Sequence, residues 1–222
     1  MLEAIPDLLT GDQVASIRAS IRDAGFVDGR KTAGARAARV KRNEQLGAGA
    51  PDKKAVQVQI VAALEGDERF CRFALPAKIN RPLISRYRQG MEYGLHVDNA
   101  LMDKGAIRSD LSVTVFLSGP EEYEGGELEI FSGYGPVKVK LPAGSVIVYP
   151  SSTLHRVLEV SDGERLAAVT WVQSRVRDPS RREILQDLDR ARAKLSKDAP
   201  GAEETDRAHR AHANLLRMWA ES

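Results

Sequence analysis

One cysteine, Cys71, stands in 222 residues. That count alone excludes an intramolecular disulfide and a thiolate-rich zinc site. Cys71 lies in the apolar and basic stretch RFCRFAL and reads as a small buried side chain. No run approaches the roughly 18 consecutive apolar residues of a membrane span. The opening MLEAIPDLLTGDQ carries acids and a proline where a secretory signal would be basic and then apolar, so a cytoplasmic setting is expected. A charge surplus is missing too: 33 Lys and Arg against 31 Asp and Glu leave +2. So near a balance leaves no footprint for nucleic acid or a membrane surface, and neither is expected as a partner. Histidine is also scarce, at four residues, so each one calls for a reason.

The remainder is an ordinary globular composition, 42% hydrophobic and 29% charged, enough for one generous domain or a domain with an appendage. Val14, Ile17 and Ile21 recur at helical spacing after Thr10 or Asp12 as caps, and Gly25 ends the pattern. RKTAGARAARVKRNEQLGAGAP has little apolar periodicity and is expected to be loop with short strand. Its basic run is read as solvated, with Lys41 or Asn43 as candidates for a cavity mouth. DKKAVQVQIVAALEGDERFCRFAL is expected to form one further helix reaching Phe70 or beyond. From about residue 78 the chain becomes a series of short Val-, Ile- and aromatic-rich segments separated by Gly, Pro, Ser and Asp. Such spacing indicates a sandwich, jelly roll or barrel rather than a parallel α/β sheet. After RVRDPSRR, Ile184, Leu185, Leu188 and Leu195 return to helical spacing. Three parts are therefore expected: helices and basic loop over 1–77, a β core over 78–177, and a helical tail over 178–222. The tail is expected to pack on the core or on a second copy of the chain.

MEYGLHVDNALM places His96 and Asp98 two apart in a stretch that reads as strand, where residues i and i+2 share a face. The pair alone fits an ion pair, a general base with its orienter, or two metal ligands. His155, in YPSSTLHRVLEV, supplies a third group. Two imidazoles and one carboxylate can hold a metal while leaving positions open, which suits non-heme Fe(II), although zinc accepts the same groups. Arg165 follows in DGERLAAVTW, with a guanidinium suited to a bidentate grip on a carboxylate. Such a metal beside such an arginine is what a 2-oxo acid cosubstrate needs. His209 and His212, in RAHRAHAN, share a helix face that reads as solvated rather than as a second metal site.

YRQGMEYGLHVD, DLSVTVFLS, YEGGELEI and VKLPAGSVIVYPSSTLHRVLEVSDGERLAAVTWVQS together resemble the Fe(II)- and 2-oxoglutarate-dependent dioxygenases of the prolyl-4-hydroxylase-like group. Among these the PKHD-type hydroxylases are the best match. The resemblance implies a mainly β fold with flanking helices, its core a double-stranded β-helix of jelly-roll type with the metal at its open mouth. It implies His96, Asp98 and His155 as iron ligands and Arg165 as the 2-oxoglutarate arginine. Tyr87 falls where related enzymes place a tyrosine near the cosubstrate, though an ordinary half-buried strand tyrosine reads as well. Of Thr170 and Trp171, one could line the pocket, with Trp171 better read as core. Implied too are O2 as co-reactant, succinate and CO2 as products, L-ascorbate as an accessory reductant, and hydroxylation of a prolyl or lysyl side chain or of a small molecule. Two rivals stay open: a metal enzyme on the same barrel that does not use 2-oxoglutarate, and a non-catalytic sensor module.

Overall fold

The computed structural model describes residues 2–133 and 135–221. Two antiparallel sheets face each other. The larger runs Glu3–Ile5, Val146–Pro150, Leu111–Phe116, Arg165–Ser174, Leu83–Tyr87, Glu44–Leu46, Phe26–Asp28, and Pro76–Ile79 also pairs with the long Arg165–Ser174 strand. The smaller runs Gly135–Val139, Leu128–Ser132, His155–Val157, Glu92–His96, Lys41–Arg42. This is the expected double-stranded β-helix.

Period-two alternation explains how one sheet serves two layers. On Leu111–Phe116, Leu111, Val113 and Val115 join Val146, Val148, Leu166, Ala168 and Val172 in the core beneath the helices. The alternate residues, Ser112, Thr114 and Phe116, face the smaller sheet. There Phe116, Ile147, Tyr149 and Tyr87 meet Leu128, Ile130 and Val157 in a second cluster. On the central strands Leu111–Phe116 and Val146–Pro150 the outer face is aliphatic, whereas the inner one admits hydroxyls, and Arg165 on the next strand adds a guanidinium. That chemical difference puts the cavity between the sheets.

Helix α1, Gly11–Ile21, has the predicted Thr10 cap, completed as a capping box with Gln13, and buries Val14, Ile17 and Ile21. The short α2, Ala35–Ala38, lies within the basic run. The single helix expected after residue 52 is two, α3 (Lys53–Gly66) and α4 (Glu68–Ala74). Asp67 is the reason for the break. Its backbone is extended and its carboxylate accepts from the Phe70 N–H, so the residue ends one helix and caps the next. Cys71 is half-buried rather than buried, and burial pushes its thiol pKa up, as expected of an unreactive cysteine.

The tail forms α5, Pro179–Asp198, and α6, Glu203–Trp219. It packs on the core. The buried Arg182 donates to the carbonyls of Val176 and Arg177, and Gln186 donates to that of Phe73 on α4. His209 is exposed, as the solvated reading expects, and is tied to α5 by Ser196, whose Oγ lies 2.7 Å from its Nε2, and by Arg192, whose Nη1 lies 3.2 Å from its Nδ1.

Candidate metal centre

His96 ends the Glu92–His96 strand and His155 begins its neighbour, and the register sets the two directly opposite. Asp98 lies just beyond the strand rather than on it, yet its carboxylate turns into the same cluster. Its oxygens are 3.9 Å from His96 Nε2 and 3.7 Å from His155 Nε2. The three ligand atoms lie within 4.8 Å of one another and could hold a metal ion.

Both imidazoles are oriented by the same local device. His96 Nδ1 lies 2.8 Å from the Gly94 carbonyl, and His155 Nδ1 lies 2.9 Å from that of Thr153. A carbonyl only accepts, so each Nδ1 carries the proton and each Nε2 turns a lone pair into the cluster. Rings clamp these orientations: Tyr93 stacks on His96 at 3.6 Å between centroids, and Tyr149 meets His155 edge-on at 5.1 Å. Burial, then the neighbouring His155, pushes the His96 pKa down to about 4, against a smaller upward pull from Asp98. At neutral pH this imidazole is uncharged and ready to coordinate. Asp98 is steadied from the larger sheet by Ser112, whose hydroxyl donates to Oδ2 at 2.6 Å and lies 2.9 Å from Ser151 Oγ. Neither Ser112 nor Tyr93 stands out in the sequence, because a serine or a tyrosine on a strand carries no motif.

A cavity of about 260 Å³ opens beside the cluster. Arg165, which starts its strand opposite Tyr87, lies on this cavity and is 1% exposed. Its Cζ is 5.2 Å from the Tyr87 ring centroid and 5.5 Å from that of Phe116. No ion pair to Arg165 forms among the described residues, and its buried Nε has no hydrogen-bond partner. A permanently charged group buried without a counter-ion is costly unless a ligand supplies one. The residues therefore fit both parts of the expected chemistry: a two-imidazole, one-carboxylate set for a divalent metal, and a receptor for a carboxylate in the same cavity. Tyr87 is buried on that wall and also belongs to the apolar cluster with Phe116 and Tyr149. Trp171 is buried and also lines the cavity, with an unpartnered Nε1. Thr170 takes the opposite face and donates to the Asn80 carbonyl. Lys41 and Asn43 both line the wall.

Facing antiparallel sheets with two histidines and an aspartate at the mouth define the class of non-heme iron oxygenases built on a double-stranded β-helix. Residues 82–173 match the model of the 2OG-Fe(II) oxygenase superfamily. A PKHD-type hydroxylase of Synechococcus sp. is 47% identical over 223 residues, covering 100% of both chains. Another, from Klebsiella pneumoniae, is 44% identical over 224 residues with the same coverage. Among solved structures, a Pseudomonas putida prolyl-4-hydroxylase superposes with a TM-score of 0.56 at 22% identity, covering 78% of this chain and 92% of that one. A Trichoplax adhaerens prolyl hydroxylase gives 0.57 at 15% identity, covering 77% and 82%. The chain belongs to the PKHD-type hydroxylases and is an Fe(II)- and 2-oxoglutarate-dependent dioxygenase.

Proposed function

We propose that His96, Asp98 and His155 hold the Fe(II), and that Arg165, with Tyr87 beside it, receives the far carboxylate of 2-oxoglutarate. The observation that carries this reading is the pairing, in one cavity, of a converging two-histidine, one-carboxylate cluster with a buried arginine that lacks a counter-ion. When bound there, the metal and cosubstrate supply O2 activation coupled to decarboxylation, yielding succinate and CO2 and leaving a hydroxyl on a C–H carbon of the substrate.

The chain's own residues do the positioning. The Gly94 and Thr153 carbonyls fix both imidazoles in the Nε2-binding tautomer. Ser112 holds the Asp98 carboxylate at the angle it presents to the metal. Arg165 is buried on the cavity wall, where the low dielectric strengthens its grip on an anion. The substrate is a prolyl or lysyl side chain or a small molecule. Ascorbate as accessory reductant, a cytoplasmic setting and self-association through the tail complete the proposal. The first is supported by the family chemistry, and the last by the exposed Ile184 and Met218 on α5 and α6.

The test is an anaerobic Fe(II) titration with 2-oxoglutarate, following the visible metal-to-ligand charge-transfer band. Wild type should develop the band, Asp98→Ala should not, and Arg165→Ala should need far more cosubstrate. Iron binding without a band in wild type would remove the 2-oxoglutarate assignment while leaving the metal site.

A further inference from the structure

Lys41 is the one lysine carried on a strand beside the cluster, and it is only 5% exposed. It pairs through Lys41–Arg42 with the strand that delivers His96, in register with Tyr93. Period-two alternation turns Lys41, Asn43 and Gln45 into the cavity, while Arg42 and Glu44 turn outward to pair with Glu92 and Arg86. The ammonium makes one hydrogen bond, to Thr32 Oγ1 at 3.3 Å, and lies 5.0 Å from the centroid of the Tyr93 ring. No ion pair to it forms among the described residues. Three N–H donors thus face one acceptor, inside a cavity whose wall carries further unpartnered groups at Asn43 and at Trp171 Nε1.

Nothing in the assigned chemistry uses this cation. The metal takes anionic and neutral donors, and the far carboxylate of the cosubstrate has Arg165. We propose that Lys41 binds a carboxylate of the primary substrate, so that the molecule hydroxylated is an acid. A neutral carbonyl would fill a donor but leave the buried charge unbalanced, whereas a carboxylate does both. The approach to the cavity carries the same sign. Lys31, Arg36 and Arg39, on the segment that forms this wall, are exposed and make no ion pair among the described residues. Unpaired surface cations beside a mouth steer anions toward it.

The inference rests on Arg165 being the cosubstrate's partner, so the test loads that position first. Zinc replaces iron for NMR, 2-oxoglutarate is added to saturation, and acetate is then titrated with acetamide as its uncharged match. The Lys41 Cε signal, assigned with Lys41→Met, and the Thr32 and Tyr93 amides should move saturably with acetate and not with acetamide. Acetate affinity should fall at least about tenfold in Lys41→Met, as for loss of a charge-assisted hydrogen bond, and return in Lys41→Arg. Displacement of acetate by N-acetyl-triglycine would admit a peptide chain end as the carboxylate source, and failure to displace would confine it to small acids. Either result supports the acid subsite. Equal response to acetamide, no response in wild type, or an unchanged response in Lys41→Met overturns it. If 2-oxoglutarate itself fails to bind, the Arg165 assignment is what has failed. Acetate titrated into zinc-loaded Arg165→Met protein then still decides Lys41.

Discussion

Replacing Lys41 by methionine should make the protein more stable. Burial pushes the Lys41 pKa down from 10.5 to about 8, a drop that nearby Asp98 and Asp28 only partly resist. A base whose pKa is lower folded than unfolded leaves stability intact above the unfolded value, and that stability is lost as pH falls through the folded one. Near pH 7 the whole penalty is therefore present. At 1.36 kcal/mol per pKa unit it comes to about 3 kcal/mol. Methionine keeps most of the stem's apolar contact and forfeits the Thr32 hydrogen bond, worth about 1 kcal/mol. A net gain of about 2 kcal/mol remains. For a chain of this size that raises Tm by roughly 4–8 °C. Urea unfolding of metal-free wild type and Lys41→Met at pH 7, 8.5 and 10 measures it. The gap should be widest at pH 7 and shrink steadily toward pH 10. A variant no more stable than wild type, or a gap indifferent to pH, would refute the view that an uncompensated buried ammonium strains this fold.

Ser112→Ala should lower metal affinity about ten- to a hundredfold with the fold intact, since it removes the carboxylate's orienting donor and otherwise only the contact with Ser151; competition with a chelator reads it. Arg165→Lys keeps the charge but not the two-pronged geometry, so 2-oxoglutarate binding by calorimetry should weaken about a hundredfold while metal binding stays the same. Because the His96 pKa is pushed down to about 4, stability of the metal-free protein should be level above pH 6.5 and decline from there toward pH 4. Thermal melts across that range should show the decline, and His96→Gln should flatten it. Gly29→Ala would drive a Cβ into Asn43 Oδ1 and bring it within 3.1 Å of the Asn43 carbonyl, so it should cost about 1–3 kcal/mol in urea and leave metal affinity within a few-fold.

The metal cluster was legible in the sequence because its groups are rare and chemically specific: two of four histidines, one with an aspartate two positions on. The strands were legible because Val-, Ile- and aromatic-rich segments are set off by Gly, Pro, Ser and Asp. The cavity-facing position of Trp171 was not legible from that composition. Its strand places Leu166, Ala168 and Val172 in the helix-side core and Arg165, Val169 and Trp171 on the cavity, and a tryptophan suits either face. The break at Asp67 was hidden by apolar periodicity that continues through it, and only the cap geometry separates the helices. Lys41 and Asn43 are legible only as candidates, since an Ala- and Arg-rich run shows no period from which to read a face.

That run owes its place in the site to pairing rather than to composition. Lys41–Arg42 adds to the smaller sheet against Glu92 and Tyr93, and three residues on Glu44–Leu46 adds to the larger sheet against Ser85 and Arg86. Residues 41–46 therefore cross from one sheet to the other and form part of the cavity wall. Any side chain pointing inward from such a crossing must face the space between the sheets, whatever its chemistry. A neutral residue would close that wall at no electrostatic cost, and the chain has a lysine there instead. Both histidines and Arg165 stand on strands of the β core, with Asp98 just beyond one of them, whereas this wall comes from a segment outside the region matched by the superfamily model. The reaction type is thus encoded in the core strands, and the choice of molecule to be hydroxylated in the crossing segment, with Lys41 the residue through which that choice is exercised.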